Sequence, residues 1–122
     1  MVIFDTNILI ELYRGNERTR EAVLTLATAN FYISAITVAE FLVGARNKQE
    51  MRAIRKQLTP YTMLPITEEI SAVFINLFQD YSLSHKPSIP DTFIAATALY
   101  YDLPVLTLNK KDFQYFPNIK LL

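Results

Sequence analysis

The sequence contains no cysteine and a single histidine, His85. Without cysteine there can be no disulfide framework and no thiolate metal site, so any metal would be bound by oxygen ligands or by that one imidazole. The longest apolar stretches, residues 31–45 and 93–101, are short or interrupted by Glu40 and fall below the ~18 residues that a membrane span needs. No basic segment precedes the first apolar residues, so we predict no secretory signal and expect a cytoplasmic protein without a membrane anchor.

An excess of positive charge is also missing. Twelve lysine and arginine residues balance twelve aspartate and glutamate residues, so the chain has no overall positive field of the kind that by itself indicates a nucleic-acid-binding protein. Any nucleic-acid role must therefore depend on local charge and on chemistry. With 122 residues, 51% of them hydrophobic, the chain is long enough for a substantial core, and we predict a single domain over residues 1–122.

Short β-rich runs alternate with helical patterns along the chain. The strands are predicted at residues 2–4, 31–34, 61–64 and 105–108, with a short edge strand at 119–122. The helices are predicted after Asp5 and at residues 17–28, 36–45, 47–58, 67–81 and 91–101. This alternation predicts an α/β fold, a three-layer α/β/α sandwich with a mainly parallel central sheet.

Acidic residues stand near the carboxyl ends of these strands, which share one edge of a parallel sheet. Asp5 follows the first strand, Glu40 lies in the helix after the second, Asp91 opens the buried helix, and Asp112 follows the fourth strand. Carboxylates without histidine or cysteine partners favour Mg²⁺ or Mn²⁺, and a cation would relieve their mutual repulsion. Such a site is typical of phosphate chemistry. Neighbouring polar side chains could orient the ligands or a phosphate: Thr6, Asn7, Thr107 and Asn109.

Helix capping is the structural alternative for three of these acids. Asp5 could cap the first helix, and Thr37-x-x-Glu40 and Ser88-x-x-Asp91 both fit the capping box. The two interpretations are compatible, because an acid at a helix N-terminus is a better metal ligand. Glu40 favours a functional role, since it lies in an apolar segment where a charge is costly unless it is paired or coordinated.

Four motifs together make the chain similar to a known family. These are Asp5-Thr6-Asn7-Ile8-Leu9-Ile10, Ser34-Ala35-Ile36-Thr37-Val38-Ala39-Glu40, Pro90-Asp91-Thr92-Phe93-Ile94-Ala95-Ala96-Thr97-Ala98 and Leu106-Thr107-Leu108-Asn109-Lys110-Lys111-Asp112-Phe113. In their order and spacing they resemble the PIN-domain nucleases and, within them, the VapC toxins of bacterial toxin–antitoxin pairs.

The resemblance implies an α/β/α sandwich, endoribonuclease activity dependent on Mg²⁺ or Mn²⁺, a homodimer and a small antitoxin partner. A metal-activated water would attack a phosphodiester of an RNA substrate, such as a tRNA or another structured RNA. The resemblance identifies Asp5, Glu40 and Asp91 as metal-binding catalytic acids. For the fourth position of the site it leaves two residues open, Asp112 and Asn109, of which we favour Asp112.

Other features lead to weaker hypotheses. Lys110 and Lys111 flank the proposed acidic site and could contact RNA, whereas the basic face of the helix at 47–58 is equally well explained by solvation. His85 lies in a polar loop without a partner motif, so we do not assign it as a ligand or base. Two other functions remain open: a phosphoacceptor signalling domain, although Phe4 rather than a second acid precedes Asp5, and a non-catalytic interaction domain.

Overall fold

The computed structural model describes residues 1–26 and 30–122. In this part of the chain the strands are β1 (Val2–Phe4), β2 (Phe31–Ser34), β3 (Thr62–Leu64) and β4 (Val105–Leu106). The helices are α1 (Thr6–Tyr13), α2 (Glu17–Leu24), α3 (Ala35–Val43), α4 (Lys48–Gln57), α5 (Glu68–Tyr81) and α6 (Ile89–Tyr101), followed by a 3₁₀ turn at Lys110–Asp112. None of the helices within these residues is both long and apolar enough to cross a membrane.

The strands form one parallel sheet with the order β3-β2-β1-β4. β1 lies in the interior of the sheet, where Ile3 is paired with Tyr32 of β2 and with Val105 of β4. The Asp5 N–H donates to the Leu106 carbonyl at 2.9 Å, which extends this pairing to the last residue before α1. The carboxyl ends of β1, β2 and β4 therefore meet at one edge, as predicted.

Successive side chains of the central strands point to opposite faces of the sheet, so the interior is divided into two cores. Ile3 faces a core built with α5 and α6, whereas Val2 and Phe4 face a second core built with α1, α3 and α4. In β4, Val105 joins the first core and Leu106 the second. Because successive side chains of a strand point to opposite faces, a strand of apolar residues requires helices on both sides. The predicted three-layer α/β/α sandwich is confirmed.

Small polar residues cap the helices from α2 to α6, and their side chains accept hydrogen bonds from free backbone N–H groups. Ser34 Oγ accepts from Ile36 N at 3.2 Å, Thr67 Oγ1 accepts from Ile70 N at 3.2 Å, and Ser88 Oγ accepts from Asp91 N at 3.1 Å. α6 thus begins at Ile89, two residues before the predicted start, because Ser88 is its cap and proline is tolerated in the first helical turn.

Several predicted boundaries are wrong by a few residues. α3 covers Ala35–Val43 rather than 36–45, β4 ends at Leu106, and the predicted edge strand at 119–122 is reduced to a single bridge between Val105 and Leu121. α2 ends at Leu24; the last two residues of the helix predicted at 17–28 lie outside the described residues. α6 is buried from Ile94 to Ala98 as expected, whereas Tyr100 and Tyr101 at its end are exposed.

Candidate active site

Asp5 occupies the N-cap position of α1 but does not cap it through its side chain. Instead Thr107 Oγ1 donates to Asp5 Oδ2 at 2.8 Å, across the gap between the ends of β1 and β4. The Asp5 side chain is almost completely buried. Burial raises its pKa, and the charges of Glu40 and Asp112 raise it further, against hydrogen bonds from Thr107 and from the Thr6 backbone that lower it. The simple capping interpretation of Asp5 is therefore wrong.

Glu40 lies in the middle of α3, with its side chain turned toward α1. The cap of this helix is Ser34, so the predicted capping box Thr37-x-x-Glu40 is wrong. Thr6 Oγ1 lies 2.6 Å from Glu40 Oε1 and 3.2 Å from Thr37 Oγ1. Because a hydroxyl carries one proton, Thr6 donates to the carboxylate and accepts from Thr37. This chain of two hydroxyls fixes the orientation of Glu40.

Asp91 stands in the first turn of α6, and its N–H is bound by the Ser88 hydroxyl. Burial raises the pKa of Asp91 to about 6, with further contributions from the charges of Asp5, Asp112 and Glu40, while the hydrogen bond with Ser88 opposes the shift. Ser88 does cap the helix as predicted. Three acids from separate parts of the chain nevertheless act electrostatically on Asp91, which helix capping alone does not explain.

The two candidates for the fourth position of the site, Asp112 and Asn109, lie in different surroundings. Asp112 is half-buried in the 3₁₀ turn, and its charge contributes to the raised pKa of both Asp5 and Asp91. Asn109 is exposed, and its backbone N–H donates to Thr107 Oγ1 at 3.0 Å. Asp112 therefore belongs electrostatically to the group of acids, whereas Asn109 supports the threonine that holds Asp5.

The remaining predicted positions surround this group. Asn7 Oδ1 accepts from the Leu108 N–H at 3.3 Å, which joins the start of α1 to the loop after β4. Lys110 and Lys111 are exposed on the 3₁₀ turn beside Asp112. Sequence analysis considered Thr37 only as a helix cap and not as a support for Glu40, although its position three residues before Glu40 on the same helix was the available signal.

The four carboxylates interact electrostatically, but they do not form a cage around a single ion. Within residues 1–26 and 30–122, no three histidine, aspartate or glutamate side chains are arranged to enclose a single ion. Mg²⁺ does not require such a cage, because it keeps several waters and is commonly held by one or two carboxylates together with substrate phosphate. The oxygen donors and the raised pKa of Asp5 and Asp91 therefore fit a hard divalent cation.

A groove begins next to these acids. It has a volume of about 500 Å³ and runs between α1, α3 and α4, with Glu40 in its wall. Its apolar side chains are Ile10, Tyr13, Phe41 and Ile54, and its charged side chains are Arg14, Arg46 and Glu50. The acidic site is thus continuous with a surface that could hold an extended or helical segment of another molecule.

Comparisons with known proteins agree with this geometry. The PIN domain family matches residues 2–118. A protein of Rickettsia bellii named Ribonuclease VapC is 33% identical over 99% of this chain and 94% of its own length, and Ribonuclease VapC10 of Mycobacterium tuberculosis is 30% identical over 98% and 91%. A solved toxin–antitoxin complex from Klebsiella pneumoniae contains a chain that superimposes with a TM-score of 0.82 at 34% identity, covering 98% of this chain and 95% of that one. The chain therefore belongs to the PIN-domain family and is similar within it to the VapC ribonucleases.

Proposed function

We propose that this protein is a metal-dependent endoribonuclease and the toxin of a toxin–antitoxin pair. The observation that carries the proposal is the group of four carboxylates, Asp5, Glu40, Asp91 and Asp112: burial, together with their mutual charge, raises the pKa of Asp5 and of Asp91. The names of the relatives support RNA as the substrate. Hydrogen bonds from Thr107 and Thr6 fix the orientations of Asp5 and Glu40, as is typical of metal-binding carboxylates.

In the proposed site, Asp5, Glu40, Asp91 and Asp112 would hold Mg²⁺ or Mn²⁺. A bound divalent ion would supply positive charge to the scissile phosphate and to the leaving oxygen. Thr107 holds Asp5 and Thr6 holds Glu40, so that each carboxylate keeps one orientation. Asn7 and Asn109 lie at the strand ends where a phosphate would enter, and Lys110 and Lys111 would contact the RNA backbone.

The test is cleavage of a pool of structured RNA, including tRNA, by the purified chain with Mg²⁺ or Mn²⁺ and with chelator. Asp5→Asn, purified identically, excludes a contaminating nuclease, and Asp80→Asn is a matched control because Asp80 is exposed on α5 outside the acidic group. We expect metal-dependent cutting by wild type and by Asp80→Asn, and none by Asp5→Asn. Equal cutting by wild type and both variants would refute the assignment. Binding of RNA or of a partner without cutting would favour a non-catalytic interaction domain.

We also propose that a small antitoxin binds in the groove next to Glu40. The support is the groove's mixture of apolar and charged side chains, together with the similarity to a chain of a toxin–antitoxin complex. Tyr13 is 42% exposed in this groove, and Ile75 is 51% exposed on α5, outside the groove. On coexpression with the protein encoded by the neighbouring gene, Tyr13→Glu should weaken the complex, whereas Ile75→Glu should not. Equal retention of the partner by both variants would contradict this location.

A homodimer is the remaining part of the proposal. Tyr100 and Tyr101 form an exposed edge-to-face pair with ring centroids 5.0 Å apart, which is a suitable apolar anchor for a second copy. Sedimentation velocity should give twice the monomer mass for wild type and a reduced dimer fraction for the double alanine variant. A monomeric wild type would contradict it.

A further inference from the structure

Two aromatic rings stack beside the acidic group. The His85 ring lies over the Tyr115 ring with centroids 4.2 Å apart and an interplanar angle of 15°. His85 belongs to the loop that leads into α6 and Asp91, and Tyr115 follows the 3₁₀ turn that carries Asp112. Each ring is therefore attached to a segment that also supplies one of the acids.

Hydrogen bonds and ring contacts hold the stack in place. Ser84 Oγ lies 2.8 Å from His85 Nδ1, and the backbone N–H of His85 donates to the Tyr81 carbonyl at 2.9 Å. The Tyr81 ring contacts both members of the stack, with centroid distances of 5.7 Å to His85 and 5.6 Å to Tyr115. Tyr115 also packs on Phe116, which is buried in the core. His85 nevertheless remains exposed, so part of its ring is accessible to another molecule.

The stack is also within electrostatic range of the acids. Burial raises the pKa of the Tyr115 hydroxyl, and the charges of Asp91 and Asp112 raise it further. Lys86 follows His85 directly and is exposed, as are Lys110 and Lys111 on the 3₁₀ turn that precedes Tyr115. An exposed aromatic ring thus lies on segments that also carry positive side chains and two of the carboxylates at which a phosphate would be cut.

We propose that the exposed ring of His85, supported by Tyr115, stacks against a nucleobase next to the scissile phosphate. The inference rests on the proposed ribonuclease function and adds a subsite to it. Bases stack on aromatic side chains whatever the identity of the base, and exposed lysines attract the RNA backbone. A ring already fixed by Ser84 and Tyr81 loses little conformational freedom when a base stacks on it.

The absence of tryptophan from the chain permits a direct test. His85→Trp introduces one fluorescent ring at the stack, and Ile75→Trp introduces one at an exposed position on α5. Both are made in the Asp5→Asn background so that the RNA is not cut. The probes are a single-stranded RNA decamer of mixed sequence and a tRNA pool. We expect RNA to quench the fluorescence of the His85→Trp protein by about half or more, and to leave that of the Ile75→Trp protein unchanged.

Affinity supplies the second measurement. By fluorescence anisotropy of labelled RNA, His85→Ala should raise the Kd about fivefold or more, and His85→Phe should restore it, because stacking requires a flat ring and not an imidazole. Exposure of His85 predicts that both variants fold, which circular dichroism checks.

The outcomes separate this inference from the proposed function. RNA binding with neither quenching nor a change of Kd overturns the subsite, even if wild type cuts RNA. Quenching and a raised Kd support the subsite even if wild type does not cut. Absence of RNA binding in every variant overturns both proposals. Loss of antitoxin binding in His85→Ala with unchanged RNA affinity overturns the nucleobase subsite and assigns the surface to a protein partner.

Discussion

Thr107 and Asp5 are 102 positions apart in the sequence, and their side chains are joined by a hydrogen bond of 2.8 Å. The bond links the ends of β4 and β1, which are neighbours in the sheet. The Asn109 N–H donates in turn to the same threonine hydroxyl, and Leu108 N–H donates to Asn7. The first carboxylate of the site is therefore oriented by the last strand of the sheet, and the chemistry of the N-terminal motif depends on residues near the C-terminus.

Replacing Asp91 by asparagine should stabilise the metal-free protein at neutral pH. The pKa of Asp91 is raised from 3.8 to about 6, so the folded state binds this proton more tightly than the unfolded state does. The resulting stability is fully present below about pH 4 and is lost as the pH rises through about 6. In urea titrations with chelator, Asp91→Asn should therefore gain on the order of 2 kcal/mol over wild type between about pH 4 and about pH 7.5. A constant difference in free energy of unfolding across this range would contradict the buried, charge-coupled position of Asp91.

Divalent cations should raise the Tm of wild type at neutral pH. An ion that binds only the folded state stabilises it by mass action, and here it also relieves repulsion among the four carboxylates. Mn²⁺ at about 100 times its Kd should contribute about 2.7 kcal/mol. Differential scanning fluorimetry would measure the shift, which should disappear with chelator and in the Asp5→Asn and Asp91→Asn double variant. An equal shift in that variant would locate the ion elsewhere.

Replacing Asp112 should lower the rate of RNA cleavage much more than replacing Asn109. Asp112→Asn removes a charge that acts on Asp5 and Asp91, and we expect RNA cleavage to fall about tenfold or more, as for lost electrostatic interactions in other active sites. Asn109→Ala leaves the backbone N–H that binds Thr107, so its effect should be below about threefold. Single-turnover cleavage rates would decide, and the reverse order of effects would assign the fourth position to Asn109.

Thr6 should act through the orientation of Glu40. Thr6→Val keeps the shape of the side chain but removes the hydroxyl that joins Thr37 to Glu40, whereas Thr6→Ser keeps it. Loss of both hydrogen bonds should cost about 1–3 kcal/mol of stability and lower the cleavage rate, while the serine variant should retain most of both. Chemical denaturation and cleavage kinetics test this together. Equal rates in the valine and serine variants would show that the hydroxyl does not matter.

Local pattern is enough to predict the order of the elements and to identify the acids that follow the strands or open a helix. Apolar β-rich runs such as Val2–Phe4 can be buried only between two layers of helices, so the three-layer fold followed from local pattern. Residues such as Ser88 and Thr67 marked helix starts because they satisfy free N–H groups nearby in the chain.

Which side chains meet depends on contacts between distant parts of the chain. The bonds from Thr107 to Asp5 and from Thr6 to Glu40 depend on strand order and on the rotation of α3 against α1, neither of which is encoded locally. The capping box at Thr37 failed for the same reason, because Ser34 starts the helix three residues earlier. The stack of His85 on Tyr115 joins two segments that no sequence motif connects. Contacts between distant segments are set by packing of the whole chain, and local pattern cannot specify them.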